Sequence, residues 1–63
     1  MLKFIKVTEV YANGARVPCL INAYNIHMIK KADKSSDTHI GMGNGKYYFV
    51  QESLKEVLEQ ING

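Results

Sequence analysis

Cys19, His27, Asp37 and His39 are side chains of this sequence with the chemistry of metal ligands or of a nucleophile–base pair. Their spacings match no zinc-binding pattern, which needs paired Cys or His at short intervals. Cys19 falls on the predicted core face of a strand, where a lone thiol acts as a small hydrophobe. Nucleophilic catalysis would need a base within hydrogen-bond reach of it, together with a concave surface to hold a substrate. The run Gly41-Met42-Gly43-Asn44-Gly45 has the composition of a phosphate loop. Such loops lead into a helix whose amides face the anion, whereas strand-forming residues follow here. It reads as a hairpin turn. No catalytic residue, metal site or cofactor is expected, and the chain does not read as an enzyme.

A second set is basic and aromatic. Lys30, Lys31 and Lys34 surround the start of a polar loop, and Lys46 and Tyr48 lie on the following strand pair. Lysines can hold phosphates while aromatic rings stack on unpaired bases. The net charge of only +2 is below that of a dedicated nucleic-acid binder. The same lysines also discourage strand-to-strand aggregation at a sheet edge. Single-stranded nucleic-acid binding through Lys30, Lys31, Lys34, Lys46 and Tyr48 is therefore the alternative expectation, behind protein interaction.

The elements that must position these residues follow from turn chemistry. Asn13-Gly14 and Asn44-Gly45 each lie between strand-forming residues, and Asn-Gly supplies the positive φ angles of a two-residue type I′ turn. The first hairpin then joins about Leu2–Tyr11 to Arg16–Asn22, with Val10 facing Val17, Thr8 facing Cys19 and Val7 facing Leu20. The second joins Thr38–Met42 to Lys46–Val50, with Met42 facing Tyr47, Ile40 facing Phe49 and Tyr48 lying over Gly41. Ile26–Lys31 forms a middle strand. Pro18 has no amide to donate, which places it at an edge or bulge.

After Val50 the apolar period changes from two to 3.6. Leu54, Val57, Leu58 and Ile61 fall on one stripe of a short helix. Ser53 and Glu56 have the spacing of a capping box. The expected fold is α+β, one domain over residues 1–63: a small, bent antiparallel sheet or open barrel from two Asn-Gly hairpins and a middle strand, capped by one C-terminal helix. Its expected core is Phe4, Val10, Val17, Cys19, Ile21, Ile26, Ile40, Phe49, Leu54, Val57, Leu58 and Ile61. Met28 and Ile29 compete for the inward parity of their strand.

The leading Phe-Ile-Lys-Val-Thr strand and the Leu-Ile-Asn step at Leu20–Asn22, with Asn25-Ile26 just after it, form a recognisable order with the later motifs. Those are the Asn-Gly-Lys hairpin at Asn44–Lys46 and the Val-Gln-Glu-Ser-Leu helix start at Val50–Leu54. That order resembles the flagellar FlbD/SwrD-like family, and similar short proteins of bacterial genomes and phage-derived elements. The resemblance spans most of the chain and implies the β-then-α architecture. It brings no catalytic motif.

Composition bounds the rest. The chain has 63 residues, 46% hydrophobic and 22% charged, which is ordinary for a folded domain and too apolar for disorder. Apolar runs such as Tyr47-Tyr48-Phe49 are too short to span a membrane. Met1–Lys6 lacks the features of a signal peptide. One cysteine allows no internal disulfide, which suits a cytoplasmic setting. Apolar burial for a chain of this size contributes on the order of 90 kcal/mol, and ordering it costs about 95 kcal/mol. A partner surface would therefore help. The expectation is a small accessory or protein-interaction module that self-associates, as a dimer by preference, or binds a protein partner. Ile5, Val7, Tyr11 and Leu20 are the expected contact patch, opposite the predicted core face.

Overall fold

Each Asn-Gly pair does form a hairpin turn, but with one residue more than a type I′ turn contains. In the computed structural model, which describes residues 2–33, 35 and 37–63, Gly14 N donates to Tyr11 O and Tyr11 N to Ala15 O, both at 2.9 Å. Gly45 N donates to Met42 O at 3.1 Å, and Met42 N to Lys46 O at 2.8 Å. Both loops therefore hold three residues, Ala12–Gly14 and Gly43–Gly45. Only the glycines take positive φ, +88° and +87°, and no described non-glycine residue does. Each asparagine instead turns its side chain onto the backbone. Asn13 Oδ1 accepts from Ala15 N at 2.9 Å, and Asn44 Oδ1 from Lys46 N at 3.0 Å. This is the three-residue hairpin loop, a turn followed by a left-handed glycine.

The extra residue shifts both registers by one. Val10 faces Arg16, Thr8 faces Pro18 and Val7 faces Cys19. In the second hairpin Ile40 faces Tyr48, His39 faces Phe49 and Gly41 faces Tyr47. A one-residue slip exchanges the two faces of a strand. Ile5 and Val7, expected at an outer contact patch, are therefore core residues at 1% and 0% exposure. Phe4, expected inside, is 54% exposed. Val17 and Phe49 are also exposed, as are Leu54 and Leu58 on the helix. Tyr48 does not cover Gly41; Met28 does, with its Cε 3.3 Å from where a Cβ on that glycine would stand.

The strands are β1 (Phe4–Val10), β2 (Arg16–Asn22), β3 (Ile26–Lys31), β4 (Thr38–Met42) and β5 (Tyr47–Val50), followed by helix α1 (Leu54–Asn62). They form one five-stranded antiparallel sheet in the order β2-β1-β5-β4-β3. The two edge strands, β2 and β3, are joined only by the 3-10 turn Ala23–Asn25. Four strand spacings in a flat sheet would separate those edges by about 19 Å. The backbone from Asn22 to Ile26 reaches at most about 14 Å. The sheet must curl, and its concave side holds the core. Pro18 lies on edge strand β2, as its missing amide requires.

Ile5, Val7, Ile21, Ile40, Val50 and Val57 form that core, with Cys19, Ile26, Ile29, Met42, Tyr48 and Ile61 packed around them. Ile29 takes the inward parity of β3, opposite Ile40. The β1 and β5 ladder touches only at Glu9 and Val50. Beyond that point α1 takes the lane next to β1. Gln60 acts there as a strand neighbour would: its Oε1 accepts from Lys6 N at 2.9 Å, and its Nε2 donates to Lys6 O at 2.7 Å. Glu52 accepts from Thr8 N and Thr8 Oγ1 at 2.8 and 3.0 Å. Buried Thr38 donates its hydroxyl to Glu52 O at 2.6 Å. The capping box closes as expected, Ser53 Oγ accepting from Glu56 N and Glu56 Oε1 from Ser53 N, both at 3.1 Å. No described helix is long and apolar enough to cross a membrane.

Candidate functional site

The register shift that buries Ile5 and Val7 turns a set of rings outward on the other half of the sheet. His39 on β4 pairs with Phe49 on β5, and Tyr47 lies two residues along the same face. The His39 and Phe49 rings stack, with centroids 4.8 Å apart and planes inclined at 29°. Tyr47 meets both edge-on, at 5.3 Å from His39 and 5.8 Å from Phe49. These are favourable arrangements for aromatic quadrupoles. They bring the rings into one touching cluster while Tyr47 stays 62% and Phe49 38% exposed.

Lys30 of β3 faces His39 across the β3–β4 ladder and is exposed. A recess of about 490 Å³ lies between them, lined in part by Lys30, Asp33, His39 and Phe49. His39 Nε2 is enclosed without a hydrogen-bond partner among the described residues. The face thus offers flat apolar surface and an ammonium group within one small area, with the imidazole Nε2 enclosed behind it. It can stack on an aromatic or aliphatic group and attract an anionic one.

The structure divides the residues expected to contact nucleic acid. Lys30 stands beside the rings. Lys31, its neighbour along β3, has the opposite parity and faces Thr38, with its side chain exposed. Lys46 is exposed just before β5. Tyr48 is half-buried on the concave side, packed against the core, so the outward rings are Tyr47 and Phe49 in its place. Lys34 lies outside the described residues. Of the expected self-association patch, Ile5 and Val7 are buried, while Tyr11 and Leu20 are exposed. Tyr11 donates its hydroxyl to Glu9 at 3.0 Å. That hydrogen bond, and the Glu9 charge, push the phenol pKa up.

Cys19 and His39 sit on opposite faces of the curled sheet and do not form a nucleophile–base pair. Burial pushes the Cys19 thiol up, helped by the charges of Glu9 and Glu52. A raised thiol holds less reactive thiolate near neutral pH. No group of three metal-ligating side chains occurs among the described residues.

The ring cluster was hidden in the sequence by the turn. A two-residue loop puts Phe49 opposite Ile40 and inside, whereas the loop Gly43–Gly45 puts it opposite His39 and outside. Asn-Gly suits both loop lengths, because the three-residue loop needs positive φ only at the glycine that follows the asparagine.

Comparison with known families agrees with the motif order. The family model of FlbD, flagellar and swarming motility proteins, matches residues 5–63, and the chain belongs to this family. No curated protein and no solved structure matches it.

Proposed function

We propose that this small motility-family protein is a cytoplasmic accessory module that works by docking a protein partner, not by catalysis. The observation that carries the reading is the exposed ring cluster of His39, Tyr47 and Phe49. Rigid, solvent-facing aromatic side chains lose little entropy on binding, and they dominate protein interfaces. Tyr47 is not part of the buried core and leaves most of its ring to solvent. The test is chromosomal replacement of Tyr47→Ser and Phe49→Ser in the native host. Swarming should fall sharply, while the purified variants melt within about 4 °C of the parent. Variants that swarm like the parent would end this reading.

Single-stranded nucleic-acid binding is the second reading, and one observation favours it: Lys30 stands across the ladder from the same rings. Titration with labelled single-stranded RNA and DNA should then give an affinity that falls steeply with salt. Tyr47→Ser should weaken binding more than Tyr48→Phe, because only Tyr47 presents its ring to solvent. Absence of binding at low salt removes this alternative.

A further inference from the structure

Helix α1 carries more apolar surface than the fold uses. Of its stripe, Val57 is fully buried and Ile61 packs against the core, while Gln60 faces the β1 backbone. Leu54 and Leu58, one turn apart, remain 36% and 42% exposed. Together with Lys55 and Glu59 they line an open groove of about 570 Å³ along the helix.

The charges beside that groove are placed against the interests of their own helix. Lys55 is in the first turn, where the positive end of the macrodipole disfavours a cation. Glu59 begins the last turn, where an anion is disfavoured and no basic residue is present. As an i, i+4 pair they also stand in the weaker order, with the lysine nearer the N-terminus. An antiparallel neighbour reverses each of these signs. Lys55 would then lie beside the negative end of the other helix, and Glu59 beside its positive end. A parallel neighbour would instead set lysine against lysine and glutamate against glutamate.

We propose that this groove is a self-complementary surface for a second copy of the chain. Two α1 helices pack antiparallel about a two-fold axis, with Leu54 and Leu58 in the seam and Lys55 of each copy beside Glu59 of the other. A two-fold interface must be complementary to itself, and this arrangement forms both ion pairs at once. A helix of nine residues is only about 14 Å long. Its face is therefore smaller than the roughly 800 Å² per partner of stable complexes, so the dimer is weak and concentration-dependent. The surface is separate from the ring cluster on β4 and β5, so a failure of the docking reading leaves this proposal standing.

Sedimentation velocity of the full chain from about 10 μM to about 1 mM tests it. The parent should pass from monomer to dimer across that range. Lys55→Glu alone and Glu59→Lys alone should each weaken association about tenfold or more, by setting like charges together. Each change gains from the macrodipole about what its new like-charge i, i+4 pair loses, so the melting temperature of the monomer should stay close to that of the parent. Mixing the two single variants should restore association, as should the double variant K55E/E59K. A parent that stays monomeric throughout overturns the proposal. So do single variants that dimerise like the parent, and so does a double variant or a mixture that fails to recover.

Discussion

The two hairpins of this protein use the same turn and put it to different ends. Both close through a left-handed glycine, at +88° in Gly14 and +87° in Gly45, and both asparagines cap their own loop. In β1–β2 the resulting register points Ile5 and Val7 into the concave side, and leaves Phe4 and Leu20 as separate exposed residues on the other. In β4–β5 the same register points Thr38, Ile40 and Val50 inward, and gathers His39, Tyr47 and Phe49 outside as touching rings. One hairpin chiefly supplies core; the other supplies core on one face and an organised surface on the other. A turn geometry sets which face a residue takes, and the residue types then decide whether that face does anything.

The sharpest way to break this comparison is at two adjacent residues of β1. Ile5→Ala removes a side chain at 1% exposure and should cost about 2–5 kcal/mol, enough to unfold much of so small a domain. Phe4→Ala, one position earlier and outside, should cost less than about 1 kcal/mol. Urea denaturation of both variants decides it. A larger loss at Phe4 than at Ile5 would restore the two-residue turn and exchange every inside and outside assignment in β1.

Gly14→Ala and Gly45→Ala come next. A Cβ at either position meets nothing within 4 Å, so the penalty is purely one of backbone conformation. Left-handed φ costs a non-glycine residue about 1–2 kcal/mol. If the two turns are equivalent, the two losses in melting experiments should agree closely. A neutral substitution at one position alone would show that its turn leaves the left-handed region in solution.

The positions of the strands and of the helix start were readable because local signals agreed, whereas the strand order β2-β1-β5-β4-β3 was not. Asn-Gly marked both turns, Ser53 and Glu56 marked the helix start, and the strand limits at Arg16–Asn22, Ile26–Lys31 and Thr38–Met42 follow directly from alternation. The faces were not readable. Phe4, Val10, Ile5 and Val7 give β1 apolar residues at both parities, so alternation alone cannot choose between them. The choice rests on a single loop residue in each hairpin. The helix misled for a different reason: its stripe of Leu54, Val57, Leu58 and Ile61 is wider than the concave space available to it. Gln60 showed no signal at all, because an amide standing in for a strand neighbour has no sequence signature.

Gln60 and Ser53 sharpen the contrast between the hairpins, since α1 docks beside β1. Gln60→Ala leaves the Lys6 amide and carbonyl without their side-chain partner and should cost about 0.5–1.5 kcal/mol. Ser53→Ala removes the helix cap and should cost about 1 kcal/mol. Hydrogen exchange locates the damage. In Gln60→Ala the amide of Lys6 should lose protection first, while those of β4 keep theirs. Uniform loss across both hairpins would mean that α1 supports the whole sheet equally.

The smallest expected effect is a pH dependence confined to the first hairpin. The folded pKa of Cys19 is raised above its ordinary value of 9.0, first by burial and then by Glu9 and Glu52. A thiol that holds its proton more tightly when folded adds stability that is fully present below pH 9.0. That contribution is lost as pH rises through the folded pKa. Cys19 is only partly buried, so the slope should be slight and visible only on the alkaline side. Cys19→Ala removes one of the two groups of this hairpin with a raised pKa, Tyr11 being the other, and should reduce the alkaline slope, while leaving the neutral region set by the loss of packing alone. Thiol alkylation supplies an independent reading. The folded protein should react more slowly than the urea-unfolded chain at pH 9, because less thiolate is present and the side chain packs beside Val7. Equal rates in the two states would place Cys19 in ordinary solvent and remove the first hairpin's claim to an alkaline weakness.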